Sequence, residues 1–168
     1  VPVARRSPRA EAVLAPGGVA IARIDYGRPA LNGRAIFGAL VPWREIWRLG
    51  DDEATRLVTE VPLRLGGVTL AVGEYALFAE PSPERWRLVI NRVGRQWGAY
   101  NYDKKFDAGR TDLAVTTTEK PIENLSIVWE PTLAGEGRLW FGWDKTVLSV
   151  AVAWQPAPPE PAAGDPAN

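Results

Sequence analysis

Apolar and polar residues alternate with period two along most of this chain, the signature of half-buried β-strands. Val19–Tyr26 alternates after the turn residues Pro16-Gly17-Gly18. Thr55–Leu65 ends on Gly66-Gly67, a pair suited to the positive φ angles of a tight hairpin turn. Val68–Leu70 leads through Gly73 to Glu74–Glu80, and Pro81-Ser82-Pro83 breaks the run. Arg85–Val93 resumes with Trp86, Leu88 and Ile90 on one face and Arg85 and Arg87 on the other. Thr111–Thr118, Asn124–Glu130, Arg138–Trp143 and Thr146–Trp154 follow, with Asp144-Lys145 expected as a two-residue connection. Leu148, Val150, Val152 and Trp154 share one face of the last strand. About nine short strands at this spacing predict an all-β fold, an antiparallel, jelly-roll-like β-sandwich.

One stretch breaks the rhythm. From Arg34 to Leu49, Pro42 can open a short helix and Gly50 can close it, so a helical insertion is expected over 34–49. There Trp43 and Trp47 would stand four apart on one helical face. The ends differ again. Residues 1–9 carry two prolines and three arginines and read as an extended arm, and 155–168 hold five prolines and read as a Pro-rich tail. Between them, 10–154 form a single domain.

Composition narrows the chemistry. The 168 residues include no His, Cys or Met. Ser–His–Asp and Cys–His catalysis and His/Cys metal sites are therefore excluded, which leaves hard cations or carboxylate-only chemistry. Twenty basic and twenty acidic residues balance, and no basic face marks a nucleic-acid binder. No apolar run is long enough to span a membrane. The absent initiator Met, with the β-rich body and Pro-rich ends, suits a mature periplasmic or otherwise extracytoplasmic protein whose signal peptide was removed.

Three groups of residues are candidates for function. Asp51, Asp52 and Glu53 are carboxylates able to ligate a hard cation, or a solvated loop paired with Arg44, Arg48 or Arg56; the second reading is preferred. Asp25, Arg28, Arg34 and Arg48 are either a fork for a carboxylate or phosphate ligand or a bracing network for irregular backbone; bracing is preferred. Eight tryptophans supply the third group. Trp86, Trp129 and Trp154 are in phase with core residues, while Trp140 is out of phase with its neighbours. Trp43, Trp47, Trp97, Tyr100, Tyr102, Asp103 and Trp140 are the binding or interface candidates. No catalytic residue, cofactor or metal is assigned.

Several segments carry a recognisable pattern: Asp25-Tyr26-x-Arg28-Pro29, Gly33-Arg34-x-Ile36-Phe37-Gly38, Val41-Pro42, Trp47-Arg48-x-Gly50 and Glu53-Ala54-Thr55. Gly73-x-Tyr75-x-Leu77-Phe78, Gln96-Trp97-Gly98-Ala99-Tyr100 with Tyr102-Asp103, and Trp143-Asp144-Lys145 extend it. From about Ser7 to Trp154 the chain resembles the bacterial domain-of-unknown-function family 2911. The resemblance implies an envelope β-sandwich with no agreed activity. Trp43-Arg44 stands where members usually have Tyr-Gly, and Asp51-Asp52 where they have Ala-Asn.

The expected function is a non-enzymatic extracytoplasmic binding or accessory protein. Its concrete form is a periplasmic subunit docking on a membrane-embedded complex, such as a photosynthetic or respiratory one, through aromatic loops and Pro-rich arms. One alternative is a carbohydrate-binding module built on Trp97, Tyr100, Trp140 and Asp103. The other is a carboxylate-based hydrolase using the acidic triplet.

Overall fold

The computed structural model describes residues 7–154 apart from Gly98, Tyr100 and Leu133. The expected tail at 155–168, most of the expected arm, and the binding candidate Tyr100 lie outside the described residues. Nine antiparallel strands make one open sheet. They are β1 (Arg9–Leu14), β2 (Ala22–Gly27), β3 (Thr55–Thr59), β4 (Leu63–Leu65), β5 (Val68–Leu70), β6 (Gly73–Glu80), β7 (Trp86–Asn91), β8 (Asp107–Pro131) and β9 (Glu136–Trp154). Their order across the sheet is β1-β2-β3-β6-β7-β8-β9-β4-β5.

The alternation places the core as the sequence requires. Trp86, Leu88 and Ile90 of β7 and Leu148, Val150, Val152 and Trp154 of β9 are all buried in one large apolar cluster. Each fully buried side chain of this size contributes roughly 1.5–3 kcal/mol of transfer free energy. Strand β6 is buried on both sides. Tyr75, Leu77 and Ala79 face the large cluster, while Ala76 and Phe78 face a smaller one with Ala54 and Val89. The sheet also curls: the Trp129 indole donates to the Ala12 carbonyl at 3.1 Å, and Ile127 N donates to the Tyr26 hydroxyl at 3.2 Å. Strands β1 and β2 thus lie against β8, although β8 is not their neighbour in the sheet.

Four boundaries differ from expectation. Arg9–Leu14 is a strand, paired from Arg9↔Gly27 to Leu14↔Ala22; its inward positions include the small Ala12, which gives a faint apolar signal. The Thr55–Leu65 run divides into β3 and β4, since Thr59 Oγ1 donates to the Val61 carbonyl at 2.6 Å and Pro62 follows. The four late segments merge into the long strands β8 and β9. Asp144-Lys145 is no hairpin turn but lies inside β9, with Asp144 at φ 52 where β8 bulges: residues 118–121 of β8 fall between the pairs Thr117↔Thr146 and Ile122↔Asp144, opposite Lys145 alone.

The helix expected over 34–49 is not formed. The segment is a chain of turns with isolated bridges Phe37↔Val41 and Trp47↔Ala79. Gly38 at φ 86 and Arg44 at φ 67 take left-handed backbone that a helix cannot contain. Trp43 and Trp47 are therefore not helical neighbours. Both reach Trp86 instead, with ring centroids 6.1 and 6.3 Å away.

Candidate functional site

The irregular segment from Arg28 to Ala54 has no continuous ladder, so turn and bridge backbone bonds such as Val41 N to the Ile36 carbonyl are supplemented by side-chain donors. Arg34 donates Nε to the Leu31 carbonyl at 2.9 Å and Nη2 to the Ala30 carbonyl at 2.6 Å. Arg28 donates Nε to the Leu125 carbonyl at 3.1 Å and Nη2 to Ser126 Oγ at 3.3 Å, tying the segment to β8. Thr55 Oγ1 caps the Leu49 carbonyl at 2.7 Å, where Leu49 is fully buried with φ 51. The segment crosses β2 so closely that a Cβ on Gly27 would sit 2.1 Å from the Asp51 carbonyl oxygen. Only glycine fits there.

This bracing leaves a cavity of about 440 Å³, lined among others by Arg28, Arg34, Arg48, Asp51, Trp47 and Trp143. Its aromatic wall is rigid. Trp47 stacks on Trp143 with centroids 6.0 Å apart and planes at 15°, and Phe37 meets both edge-on. The Trp143 indole N–H is fixed on the Glu123 carbonyl at 3.2 Å. Trp47, an interface candidate on sequence grounds, is buried at 8% exposure and borders the cavity from the core side. Trp43 is half-buried beside it.

The acidic triplet holds down the start of the described chain. Arg48 Nη2 lies 2.7 Å from Asp51 Oδ1, Ser7 Oγ donates to Asp51 Oδ2 at 2.7 Å, and Ser7 N donates to Asp52 Oδ2 at 3.1 Å. Burial pushes the Asp51 carboxyl up. The hydrogen bonds from Ser7, Arg48 and the Asp52 amide, with the Arg48 charge, outweigh it and hold the group below its ordinary 3.8. Asp52 is buried at φ 63, and Glu53 bridges to Trp97. Among the described residues no group of three or more acids is placed to hold a metal ion. Asp25 does not join Arg28, Arg34 and Arg48: its carboxylate takes Nε and Nη2 of Arg9, at 3.1 and 2.9 Å.

Asp25 instead lines a second, smaller cavity of about 220 Å³ with Arg9, Glu53, Arg56, Gln96 and Trp97. Trp97 is 37% exposed. Arg9 Nη1, Arg56 Nε and Gln96 Oε1 are buried there without a hydrogen-bond partner. Tyr102 and Asp103 belong to the loop that folds back over the sheet's other face. Tyr102 packs edge-on against Phe78 at 5.1 Å, and Asp103 caps the 3-10 turn Lys104–Phe106 by accepting from Lys105 N. Trp140 is half-buried on the opposite face from Leu139 and Phe141, with the Arg138 guanidinium 5.7 Å from its ring centre. Trp97 borders the cavity it shares with Asp25, and Trp140 borders none of the cavities described.

Sequence reasoning missed a charged network beneath that loop. Arg110 lies 2.7 Å from Glu80, 3.4 Å from Asp107 and 2.7 Å from the Tyr102 hydroxyl, which donates to Asp107 Oδ2 at 2.7 Å. Arg87 pairs with Glu80 as well. Burial and the bond to Asp107 push the Tyr102 phenol up to about 12. The only sequence signal was the outward phase of Glu80 and Arg87 on neighbouring strands, paired at Glu80↔Arg87.

No curated protein and no solved structure matches the chain. The family described as a protein of unknown function, DUF2911, matches residues 7–152, and this chain belongs to it.

Proposed function

We propose that this chain is a non-enzymatic, extracytoplasmic binding or accessory protein, a periplasmic subunit that docks on a membrane-embedded complex. The observation that carries the reading is the composition of the cavity bordered by Arg28 and Arg34: permanently charged guanidiniums held on backbone acceptors beside the stacked Trp47 and Trp143. Such a site is built to hold a group, since arginine does not release its proton near neutrality. A carboxylate hydrolase needs one acid raised towards neutrality, and Asp51 moves the opposite way. We read the open sheet as folded on itself into two stacked, jelly-roll-like layers, supported by the Trp129–Ala12 and Ile127–Tyr26 hydrogen bonds. Gentle detergent extraction from native membranes followed by mass spectrometry tests the docking. Co-purification with a membrane complex is expected, and a free monomer alone would overturn it.

A second reading is favoured by one observation. Arg9, Arg56 and Gln96 line the cavity beside Trp97, and each keeps a buried polar atom without a partner just behind the surface: Arg9 Nη1, Arg56 Nε and Gln96 Oε1. Sugar hydroxyls both donate and accept while the ring stacks on an indole, so a carbohydrate suits this site. A glycan array at millimolar ligand should then show binding that Trp97→Ala removes; an array without a hit ends this reading.

A further inference from the structure

The cavity bordered by Arg28 and Arg34 carries an uncompensated charge. Arg48 is neutralised by Asp51, 2.7 Å away. Arg28 and Arg34 are not neutralised: every group they donate to, the Leu125, Leu31 and Ala30 carbonyls and the Ser126 hydroxyl, is uncharged. Among the described residues neither makes an ion pair. The nearby Glu123 carboxylate accepts from Asn32 N at 3.1 Å and is not part of the cavity wall. On both arginines Nε and Nη2 are spent on holding the guanidinium still, and Nη1 carries no hydrogen bond to a described residue. Two hydrogen-bonded cations, Arg28 half-buried and Arg34 exposed, thus line one concave site with a donor to spare, an arrangement suited to an oxyanion.

The remaining wall selects among oxyanions. The 51%-exposed Leu40 gives one side of the cavity an apolar lining that a bare inorganic ion would leave unfilled, and the edges of the buried Trp47, Trp143 and Val41 back it from the core. Asp51 lines the same cavity but is spent on Arg48 and Ser7, so the charge a ligand meets is set by Arg28 and Arg34. A volume of about 440 Å³ lies within the range of small-molecule sites, and larger than a carboxyl group alone needs. We propose that this cavity binds a monocarboxylate with an apolar body, its carboxylate on Arg28 and Arg34 and its hydrocarbon against Leu40 and the edge of Trp47. The proposal deepens the binding-protein reading and rests on it.

Two sources supply such a group, a free organic acid and the C-terminal carboxylate of a peptide with an apolar last residue. Benzoate and N-acetylphenylalanine represent them, with benzamide and inorganic phosphate as controls. Calorimetric titration of the full chain should show both carboxylates binding in the millimolar range or tighter, and neither control. Tighter benzoate assigns a free acid; tighter N-acetylphenylalanine assigns a chain end. Arg34→Gln removes one charge-assisted contact and should weaken the preferred carboxylate about tenfold or more. Leu40→Asp changes an exposed side chain at the same cavity, keeps the fold, and should weaken it similarly by repulsion. Phosphate binding as tightly as the carboxylates, or neither carboxylate binding to the folded wild type, overturns the proposal. Detergent co-purification reads the docking independently, so a chain that docks yet ignores benzoate and N-acetylphenylalanine loses only this inference.

Discussion

The β8–β9 ribbon and the irregular segment 28–54 solve the same problem in opposite ways. The ribbon is a long antiparallel ladder whose backbone groups pair from Ala114↔Ser149 to Pro131↔Gly137, leaving its side chains for packing. The segment has only scattered bridges, so Arg28, Arg34 and Thr55 give their donors to its carbonyls. Regular structure releases side chains from structural duty. Irregular structure spends them, and here the spent arginines border a cavity. In the proposed binding, bracing and binding, alternatives on sequence grounds, would be parts of one arrangement.

Breaking the junction between the regions should have the largest effect. Trp143→Ala on β9 removes the ring stacked on Trp47 and the N–H bond to Glu123, and should cost about 3–5 kcal/mol in denaturant unfolding. Gly27→Ala drives a methyl into the Asp51 carbonyl where the segment crosses β2. It should destabilise by at least about 1–3 kcal/mol and loosen hydrogen-exchange protection in 28–54 before the ribbon. Arg28→Gln strands the Leu125 carbonyl and should cost about 1–2 kcal/mol, whereas Val128→Thr on the ribbon's exposed face should stay within about 0.5 kcal/mol. A result in the reverse order would mean that the arginine does not hold the segment.

The pH responses separate the regions too, with smaller effects. Asp51 has a lowered carboxyl in the folded state, so its contribution is present above the unfolded value of 3.8 and lost as pH falls through the lower folded one. Acid should therefore release Ser7 and the segment first, visible as early loss of protection around 48–52. Tyr102 is raised from 10.0 to about 12, so its contribution is whole below 10 and fades as pH climbs towards 12. Phenolate absorbance should carry a late component from Tyr102, which Tyr102→Phe should remove.

How legible each region was follows from its physics. Where strands bury one face, alternation announces both strand and inward residues, as for Leu148, Val150, Val152 and Trp154. The merging of four expected strands into β8 and β9 was not legible, because Asp144-Lys145 has the composition of a turn and only its pairing with the bulged β8 keeps it inside a strand. The 34–49 segment misled for a related reason. Pro42 and Gly50 mark helix ends locally, yet the bridge of Trp47 to Ala79 and the left-handed Arg44 are tertiary demands. Arg28 and Arg34 were legible as structural donors, since carbonyls in an irregular stretch must find partners. Arg9 as the partner of Asp25 was hidden by reading residues 1–9 as an arm.

NMR of the arginine side-chain Nε–H groups, followed while benzoate is added to the folded chain, tests the preformed cavity most directly. Fixed guanidiniums predict slowly exchanging Nε signals for Arg28 and Arg34 before any ligand arrives, and saturable shifts of both with benzoate. Averaged, fast-exchanging signals in the free protein, or shifts confined to other arginines, would contradict it.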